Sequence, residues 1–237
     1  MSPPRQPNAA VATANASSPS SAAGGIRGKR PKPGERRVQI LQTLAAMLEA
    51  PGNEKITTAA LAAQLGVSEA ALYRHFASKA QMFEGLIEFI EQTIFGLINQ
   101  ITTNETSGVL QARTIARMLL DFAEKNPGMT RVLTCEALVG EHARLSARVN
   151  QLLLRVEASL KQCLRLERLA LDEAPTARVG DAMPATKEVP LPAHYNAALR
   201  ANLLLSYILG RWHRYARSGF ARLPAEQADA QIRLILQ

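Results

Sequence analysis

The chain has 237 residues, 47% of them hydrophobic, and its 28 basic and 20 acidic side chains give a net charge of +8 at pH 7. That length is enough for one or two packed domains with a hydrophobic core. The longest apolar runs are interrupted by polar residues and fall short of the roughly 20 residues that a membrane-spanning helix needs. The first residues also lack the apolar stretch of a signal peptide. We therefore expect a cytoplasmic protein that does not span a membrane.

The positive charge is concentrated near the N-terminus. Residues 1–37 contain seven basic side chains and one acidic one, a balance of +6 that leaves +2 for the rest of the chain. Residues 1–33 are mostly Ser, Ala, Pro, Gly and Asn, and they offer too little apolar surface to offset the entropy lost on folding. We expect residues 1–33 to be a disordered basic tail. Because the basic residues at 27–37 adjoin a candidate DNA-binding module, we expect them to bind phosphates.

After the tail, apolar residues recur at helical spacing and no segment alternates convincingly with period two, so we predict an all-α chain. The sequence SKAQ, starting at Ser78, has the form of a capping box that opens a long helix. Four prolines predict a loop over residues 172–192. The predicted helices cover approximately residues 35–48, 58–64, 68–76, 78–103, 109–125, 129–139, 141–171, 193–218 and 225–236.

The second and third predicted helices have the spacing of a helix-turn-helix. Either Thr57 or Thr58 can cap the first of them, Gly66 supplies the tight turn, and Ser68 caps the second. Lys79 follows in the first turn of the next helix, where backbone N–H groups already favour an anion. A helix pair of this shape can also be a simple packing unit. The spacing of the caps and the adjoining basic residues favour DNA binding instead.

The outward face of the second short helix carries small residues and two polar ones. With Leu72 in the core, a step of about 100° per residue turns Ala70 and Arg74 to the opposite side, flanked by Ala71 and Tyr73. Alanine allows a helix to lie deep in the major groove and can touch a thymine methyl group. Arg74 can pair with guanine or with a phosphate, and the Tyr73 hydroxyl can bind a phosphate.

The remaining polar residues do not indicate an enzyme. His142, His194 and His213 are isolated and match no metal-ligand spacing. Cys135 and Cys163 lie within helical patterns without a CxxC partner, so we expect two buried reduced thiols. The sequence also contains no nucleophile motif, glycine-rich phosphate loop or paired carboxylates. We therefore expect no enzymatic activity and no cofactor or metal.

The segment Leu209–Phe220 combines Trp212, His213 and Tyr215 with three arginines. It could line a ligand cavity, but we favour an amphipathic helix end at a dimer interface. Either account is compatible with a homodimer, which a palindromic site would require because two recognition helices must then be held about one DNA turn apart.

At the helix-turn-helix the chain resembles a known family. The sequence ITTAALAAQLGVSEAALYRHFASKAQMF is similar to the N-terminal module of TetR-type regulators, whose first three helices bind DNA and whose remaining helices form a dimerising body. Further sequences, among them ILQTLAAMLE, LIEFIE, INQI, KNPG and RVNQLL, resemble one branch of that family, the nucleoid occlusion factors, across residues 36–160. The resemblance implies a TetR-like fold with a DNA-binding domain over residues 34–80 and a dimerisation and partner-binding domain over residues 81–237.

Proteins of that branch bind palindromic chromosomal sites as dimers, with one or more dimers per site. Once on DNA they antagonise polymers of the division protein FtsZ, so that septa do not form over the nucleoid. The resemblance implies DNA contacts from nine residues: Thr57, Thr58, Ser68, Ala70, Ala71, Tyr73, Arg74, His75 and Lys79.

The resemblance also implies a surface that binds FtsZ, where the long helix after the module meets the next helix. Its expected residues are Phe89, Met118, Lys125 and Asn126. Core packing is an equally good account of Phe89, and helix capping is an alternative for Asn126. The branch is expected to have a basic residue where this chain has Leu97 and a glycine where it has Asp121, which implies redistributed or weaker partner contacts.

Two classes of function remain open at this point. The first is a DNA-activated division inhibitor that acts through a protein contact, and the second is a ligand-responsive transcriptional repressor with an effector pocket in its body. A body filled with side chains favours the first, and an enclosed apolar cavity favours the second. A third hypothesis, a nucleoid protein that coats DNA through residues 1–33, predicts binding that falls steeply with salt and depends on that tail.

Overall fold

The computed structural model describes residues 34–50, 56–173 and 195–237, with side chains described outside residues 167–173. A short 3-10 helix, Glu136–Leu138, lies between α6 and α7. The predicted all-α class is confirmed, because the described residues contain no β-strand. The α-helices are α1 Glu35–Met47, α2 Thr58–Gln64, α3 Glu69–Tyr73, α4 Lys79–Asn104, α5 Gly108–Lys125, α6 Pro127–Leu133, α7 Ala143–Glu173, α8 Ala197–Arg217 and α9 Ala228–Leu236.

Two predicted segments fall mainly outside the described residues. One is the tail over residues 1–33. The other is the loop predicted over residues 172–192, whose first two residues instead continue α7 to Glu173 and whose remainder is not described. Both cysteines are free thiols: Cys163 is buried as predicted, whereas Cys135 is half-buried. Burial raises the pKa of both thiols above the ordinary cysteine value.

The second helix of the helix-turn-helix is shorter than predicted. It ends at Tyr73 rather than near Phe76. The N–H of His75 donates to the carbonyl of Leu72 at 2.9 Å, which is a 3-10-type bond that tightens the last turn. The N–H of Phe76 donates to the same carbonyl at 3.1 Å, so the Phe76 ring still returns to the core.

The limits predicted for the helix over residues 129–139 are also wrong. The structure has α6 over Pro127–Leu133 and then the 3-10 helix. Cys135 separates the two because its backbone is left-handed, with a φ of 60°. A right-handed helix cannot continue through that conformation.

The helices α1, α2 and α3 pack against the first turns of α4 around a small apolar core. Arg37 of α1 lies over the Phe76 ring at 4.2 Å and donates to the carbonyl of His75 at 3.2 Å. These contacts hold α3 in a fixed position relative to α1 and α4. The core side chains, each at most 1% exposed, are Ile40, Leu44, Leu61, Leu72, Phe76, Met82 and Phe83.

The body consists of α5 to α9 together with the rest of α4. Its largest buried side chain is Trp212 of α8, whose indole N–H donates to the carbonyl of Leu119 at 3.1 Å. The Tyr215 hydroxyl donates to the carbonyl of Glu124 at 3.2 Å. The dimer-interface expectation is therefore wrong for Trp212 and Tyr215, which face α5 within their own chain. Among the described helices, none is both long enough and apolar enough to cross a bilayer.

The helix α6 fastens the body to the end of α1. A Cβ atom on Gly128 would stand 1.9 Å from the carbonyl oxygen of Ala45, so only glycine fits this close approach. Arg131 donates to the carbonyls of Leu48 at 3.1 Å and Ala50 at 3.0 Å. A cation on these carbonyls satisfies acceptors that have no partner inside the helix. The DNA-binding module and the body thus meet here as well as along α4.

Candidate DNA-binding and partner surfaces

Side-chain caps fix both short helices of the helix-turn-helix. The N–H of Ala60 donates to the Thr57 hydroxyl at 3.1 Å, which identifies Thr57 rather than Thr58 as the cap of α2. The N–H of Ala71 donates to the Ser68 hydroxyl at 3.3 Å and caps α3. These caps satisfy backbone groups that would otherwise have no partner at the start of each helix.

Gly66 makes the turn between α2 and α3. Its φ is +65°, a left-handed conformation that glycine adopts at little cost. The N–H of Gly66 donates to Ala63 and the N–H of Val67 donates to Ala62, at 3.1 and 3.0 Å. This pair of bonds is a Schellman motif, which ends α2 sharply and directs the chain into α3.

The burial pattern of α3 agrees with the orientation predicted from helical phase. Leu72 is fully buried, whereas Ala70, Tyr73 and Arg74 are exposed and Ala71 is half-buried. His75, just after the helix, is also exposed. The exposed face combines small side chains, which allow the backbone to approach a base-pair edge, with donors that suit guanine or phosphate.

A hydrogen-bonded chain joins α2 to α3 on this face. The Thr58 hydroxyl donates to a Glu69 carboxylate oxygen at 2.6 Å, and the Tyr73 hydroxyl donates to Thr58 at 3.4 Å. Thr58 therefore orients two side chains of α3 and is not the cap of α2. The bond to Thr58 also satisfies an acceptor of Glu69, a carboxylate that would repel DNA phosphates.

Lys79 is held by the body of the protein. Its ammonium donates to a Glu141 carboxylate oxygen at 2.5 Å, and both side chains are partly buried. The Ser78 hydroxyl accepts the N–H of Gln81 at 3.2 Å, so Ser78 caps α4 as the capping-box pattern predicts. Lys79 thus occupies the first turn of α4 beside the helix-turn-helix, but its charge is paired with a residue 62 positions away.

The four predicted partner residues lie on α4, α5 and the α5–α6 junction. Phe89 and Met118 are half-buried and pack against the core, while Lys125 is exposed. The Asn126 side-chain amide donates to the carbonyl of Phe122 at 2.7 Å, and Pro127 begins α6. Asn126 therefore ends one helix and precedes the next, as the capping alternative predicted.

The two residues at which the chain departs from the expected branch pattern have different surroundings. Leu97 on α4 is half-buried. Asp121 on α5 accepts from the Arg117 guanidinium at 3.0 and 3.1 Å, and Arg117 also pairs with Asp229 of α9 at 3.1 Å. The hydrogen bond to Asp121 raises the pKa of Arg117. The Asp121 charge is therefore balanced within the chain.

Two family descriptions match the chain and together span most of it. Bacterial regulatory proteins of the tetR family match residues 40–86, and a SlmA-like family, described as tetracyclin repressor-like C-terminal domain, matches residues 107–237. The nucleoid occlusion factor SlmA of Idiomarina loihiensis is 48% identical over 208 residues, which are 85% of this chain and 94% of that protein. The chain belongs to the SlmA family of nucleoid occlusion factors. The SlmA protein of Alteromonas mediterranea is also 48% identical, over 83% of this chain and 91% of its own.

The fold of this SlmA-family chain is shared with more distant TetR regulators. A TetR transcription regulator from Haloarcula marismortui superposes with a TM-score of 0.66 at 17% identity, covering 85% of this chain and 96% of its own. At that identity the likeness concerns the fold alone. The TetR-like architecture predicted from the sequence is confirmed.

The structure of this SlmA-family protein adds contacting residues that the sequence did not indicate. Glu69 had a weak local signal, since acidic residues are favoured in the first turn of a helix. Glu141 and Arg37 had none, because their partners Lys79 and His75 are 62 and 38 positions away in the sequence. Helical periodicity identifies which face a side chain occupies, but it does not identify a partner on another helix.

Proposed function

We propose that this protein binds palindromic chromosomal DNA as a homodimer and, while bound, antagonises FtsZ polymers so that septa do not form over the nucleoid. The observation that carries this proposal is the 48% identity to SlmA proteins over 85% of the chain, which extends through both the DNA-binding module and the body. A repressor related only through its DNA-binding module would lack that similarity in the body. The protein would act in the cytoplasm, on the nucleoid.

The proposed DNA contacts follow from the exposed face of the helix-turn-helix. Ala70 and Ala71 leave space for α3 to lie deep in the major groove, and Arg74 and His75 supply donors at its end. The Tyr73 hydroxyl, which donates to Thr58 at 3.4 Å in the free protein, would donate to a phosphate oxygen instead. Thr57, Ser68 and Lys79 lie at helix starts, where backbone N–H groups and the helix dipole favour phosphate oxygens.

An exposed stripe on α8 and α9 supports the proposed dimer. Leu199 and Leu203 on α8 are 68% and 54% exposed, and Leu234 on α9 is 71% exposed. Ser206 and Gly210 continue the α8 stripe at helical spacing, and a groove of about 510 Å³ lies between them and Leu234. A Cβ atom on Gly210 would meet nothing within 4 Å, so a helix of a second copy could approach α8 closely.

The proposed FtsZ-binding surface combines apolar and charged groups. Phe89 on α4 and Met118 on α5 each expose part of the side chain, and Lys125 lies exposed at the end of α5. Asn126 would act by fixing the α5–α6 corner, since its side chain is already bonded to Phe122. Half-buried apolar residues beside an exposed cation suit a peptide with an apolar anchor and an acidic residue.

The test is FtsZ assembly with GTP, followed by sedimentation and light scattering. The reactions contain this protein with tightly bound chromosomal fragments, and each component is omitted in turn. We expect polymers to shrink only when protein and DNA are both present. Lys125→Glu should abolish that effect while DNA binding persists, and Arg165→Glu, at an exposed position on α7, should leave it intact.

If polymers are unaffected while the fragments remain tightly bound, the division-inhibitor proposal is wrong. A transcriptional repressor controlled by an effector then becomes the leading account. Loss of DNA binding in the Lys125→Glu protein would instead show that this residue does not belong to a separate partner surface.

A further inference from the structure

A row of ion pairs joins α4 to the start of α7 and the residues just before it. We name this row the α4–α7 seam. It connects the helix that follows the DNA-binding module to the body over the first half of α4. The pairs are Lys79–Glu141 at 2.5 Å, Glu84–Arg144 at 2.7 Å, Glu91–Arg148 at 3.0 Å, and Glu91–Arg155.

The first pair differs from the others in which element carries the positive charge and in the burial of its cation. Lys79 places the cation on α4 and the anion on the body, whereas the other pairs have glutamates on α4 and arginines on α7. The Lys79 side chain is only 28% exposed, while the arginines of the seam are 45–57% exposed; the carboxylates of Glu141 and Glu91 are buried to a similar extent, at 16% and 17% exposed. Solvent and salt therefore screen the Lys79–Glu141 attraction less than the other pairs.

Lys79 is also the residue of the seam that lies beside the helix-turn-helix. It occupies the first turn of α4, just after Ser78, whose hydroxyl caps that helix. A phosphate that approaches Lys79 meets the Glu141 carboxylate, because that carboxylate is already 2.5 Å from the ammonium. Two anions at contact distance from one ammonium repel each other, so phosphate and Glu141 cannot both interact with Lys79 at full strength.

We propose that Glu141 competes with DNA for Lys79. In the free protein the body holds Lys79, and on DNA a phosphate takes the ammonium and releases Glu141. This proposal rests on the proposed DNA contact of Lys79. Glu141 thereby lowers the affinity for DNA, and DNA binding opens the first pair of the α4–α7 seam.

Release of Glu141 would change contacts within the body, because Glu141 lies between the 3-10 helix and α7. The N–H of Glu141 donates to Leu138 of the 3-10 helix at 3.0 Å, and α7 begins two residues later. Further along α4, Glu91 of the seam and Phe89 of the proposed FtsZ-binding surface are two residues apart, which is about 200° around the helix. Glu91 therefore faces away from Phe89, whereas Lys79 lies ten residues before Phe89 and about 80° from it around the helix, so movement of α4 would affect both the seam and the FtsZ-binding surface.

The experiment is a double-mutant cycle of DNA affinity in the full-length protein. Fluorescence anisotropy with a selected fragment is measured for the wild type, Lys79→Met, Glu141→Gln and the double variant. We expect Glu141→Gln to tighten binding by roughly 3–10-fold in the wild type and by less than about twofold in the Lys79→Met background. Glu84→Gln is the matched control, because it removes a carboxylate from the same seam without touching Lys79, and it should change affinity by less than about twofold.

The outcomes separate this proposal from the proposed function. If Lys79→Met leaves both the affinity and the salt dependence unchanged, Lys79 does not contact DNA, and the proposed DNA contact fails first. If Lys79→Met weakens binding but Glu141→Gln does not tighten it, competition is overturned and the proposed function survives. An equal gain from Glu141→Gln with and without Lys79 would also overturn competition, since it would reflect only the loss of a distant negative charge.

Hydrogen exchange gives a second measurement that does not depend on affinity. Adding DNA to the wild type should speed exchange of the amides around Glu141, and Glu141→Gln should show the faster exchange without DNA. Slower or unchanged exchange on DNA would overturn the release of Glu141. Thermal unfolding of each variant establishes that it is folded before either measurement.

Discussion

Arg74 is the residue of the helix-turn-helix whose substitution tests the DNA interface most directly. It is exposed at the end of α3, on the side opposite the buried Leu72. We expect Arg74→Gln to weaken binding to a selected fragment by about 1–3 kcal/mol, the usual range for loss of an arginine–guanine contact. Fluorescence anisotropy over a range of salt concentrations measures this loss of DNA affinity.

The salt dependence shows which DNA group Arg74 contacts. A base contact predicts a larger loss on the selected fragment than on unrelated DNA, and a phosphate contact predicts equal losses with a salt slope reduced by about one. Arg165→Gln, at an exposed position on α7, should not change either quantity. Unchanged affinity of the Arg74→Gln protein would exclude this residue from the interface.

At the residue scale, the sequence predicted features whose cause is local. Ser68 and Ser78 cap helices as predicted, because a hydroxyl at that position accepts from an N–H three residues later. The choice between Thr57 and Thr58 could not be made, since both can cap a helix and only the chain path decides. The ion pair of Lys79 with Glu141 was not predictable, because no short-range pattern links residues 62 positions apart.

At the scale of elements, Gly128 provides the sharpest test of how the module is fastened to the body. A Cβ atom there would overlap the Ala45 carbonyl at 1.9 Å, and the contact is backbone, which cannot rotate away. We expect Gly128→Ala to lower the free energy of unfolding by about 1–3 kcal/mol, as overpacking does elsewhere. Thermal and urea unfolding measure the change.

The matched control is Gly96→Ala, in the middle of α4. An added Cβ atom at Gly96 meets nothing within 4 Å, so the substitution should stabilise the protein by about 0.5–1 kcal/mol through helix propensity. If both variants change stability equally, the close approach of α6 to α1 is not present in solution.

Helix positions were more predictable than helix ends. The long helices follow from apolar periodicity, and α4 and α5 lie within a few residues of their predicted limits. The predicted ends of α3 and α6 were wrong. The last turn after α3 tightens at His75, and the left-handed backbone of Cys135 stops the helix that begins with α6. Trp212 was misassigned because amphipathicity indicates that a face is buried but not whether the same chain or a partner covers it.

At the scale of the whole molecule, DNA binding, dimerisation and FtsZ binding are proposed for three different surfaces. The exposed face of α3 is the proposed DNA surface, the stripe on α8 and α9 is the proposed dimer surface, and the surface of α4 and α5 is the proposed FtsZ surface. The helix α4 touches both α5 and α7, so it connects the DNA-binding module to the other two regions. Such an arrangement allows a DNA-bound dimer to contact FtsZ without releasing DNA.

A substitution on the exposed stripe can test dimerisation without unfolding the monomer. Leu203 is 54% exposed, so Leu203→Glu should leave the monomer folded but place two charges against each other across the proposed interface. We expect the mass measured by light scattering after size-exclusion chromatography to fall from twice the 25.7 kDa chain mass toward that of one chain. Affinity for a palindrome should fall with it, because each half-site is then bound separately.

Leu110→Glu serves as the control for the dimer test, since Leu110 is 41% exposed, lies in the first turn of α5 and belongs neither to the stripe nor to the DNA-binding module. It introduces the same charge, and the protein should remain a dimer that binds the palindrome at wild-type affinity. A dimer that persists in the Leu203→Glu protein would move the interface to another face. Helices other than α8 and α9 would then set the spacing of the two half-sites, because the distance between two recognition helices depends on which helices pair.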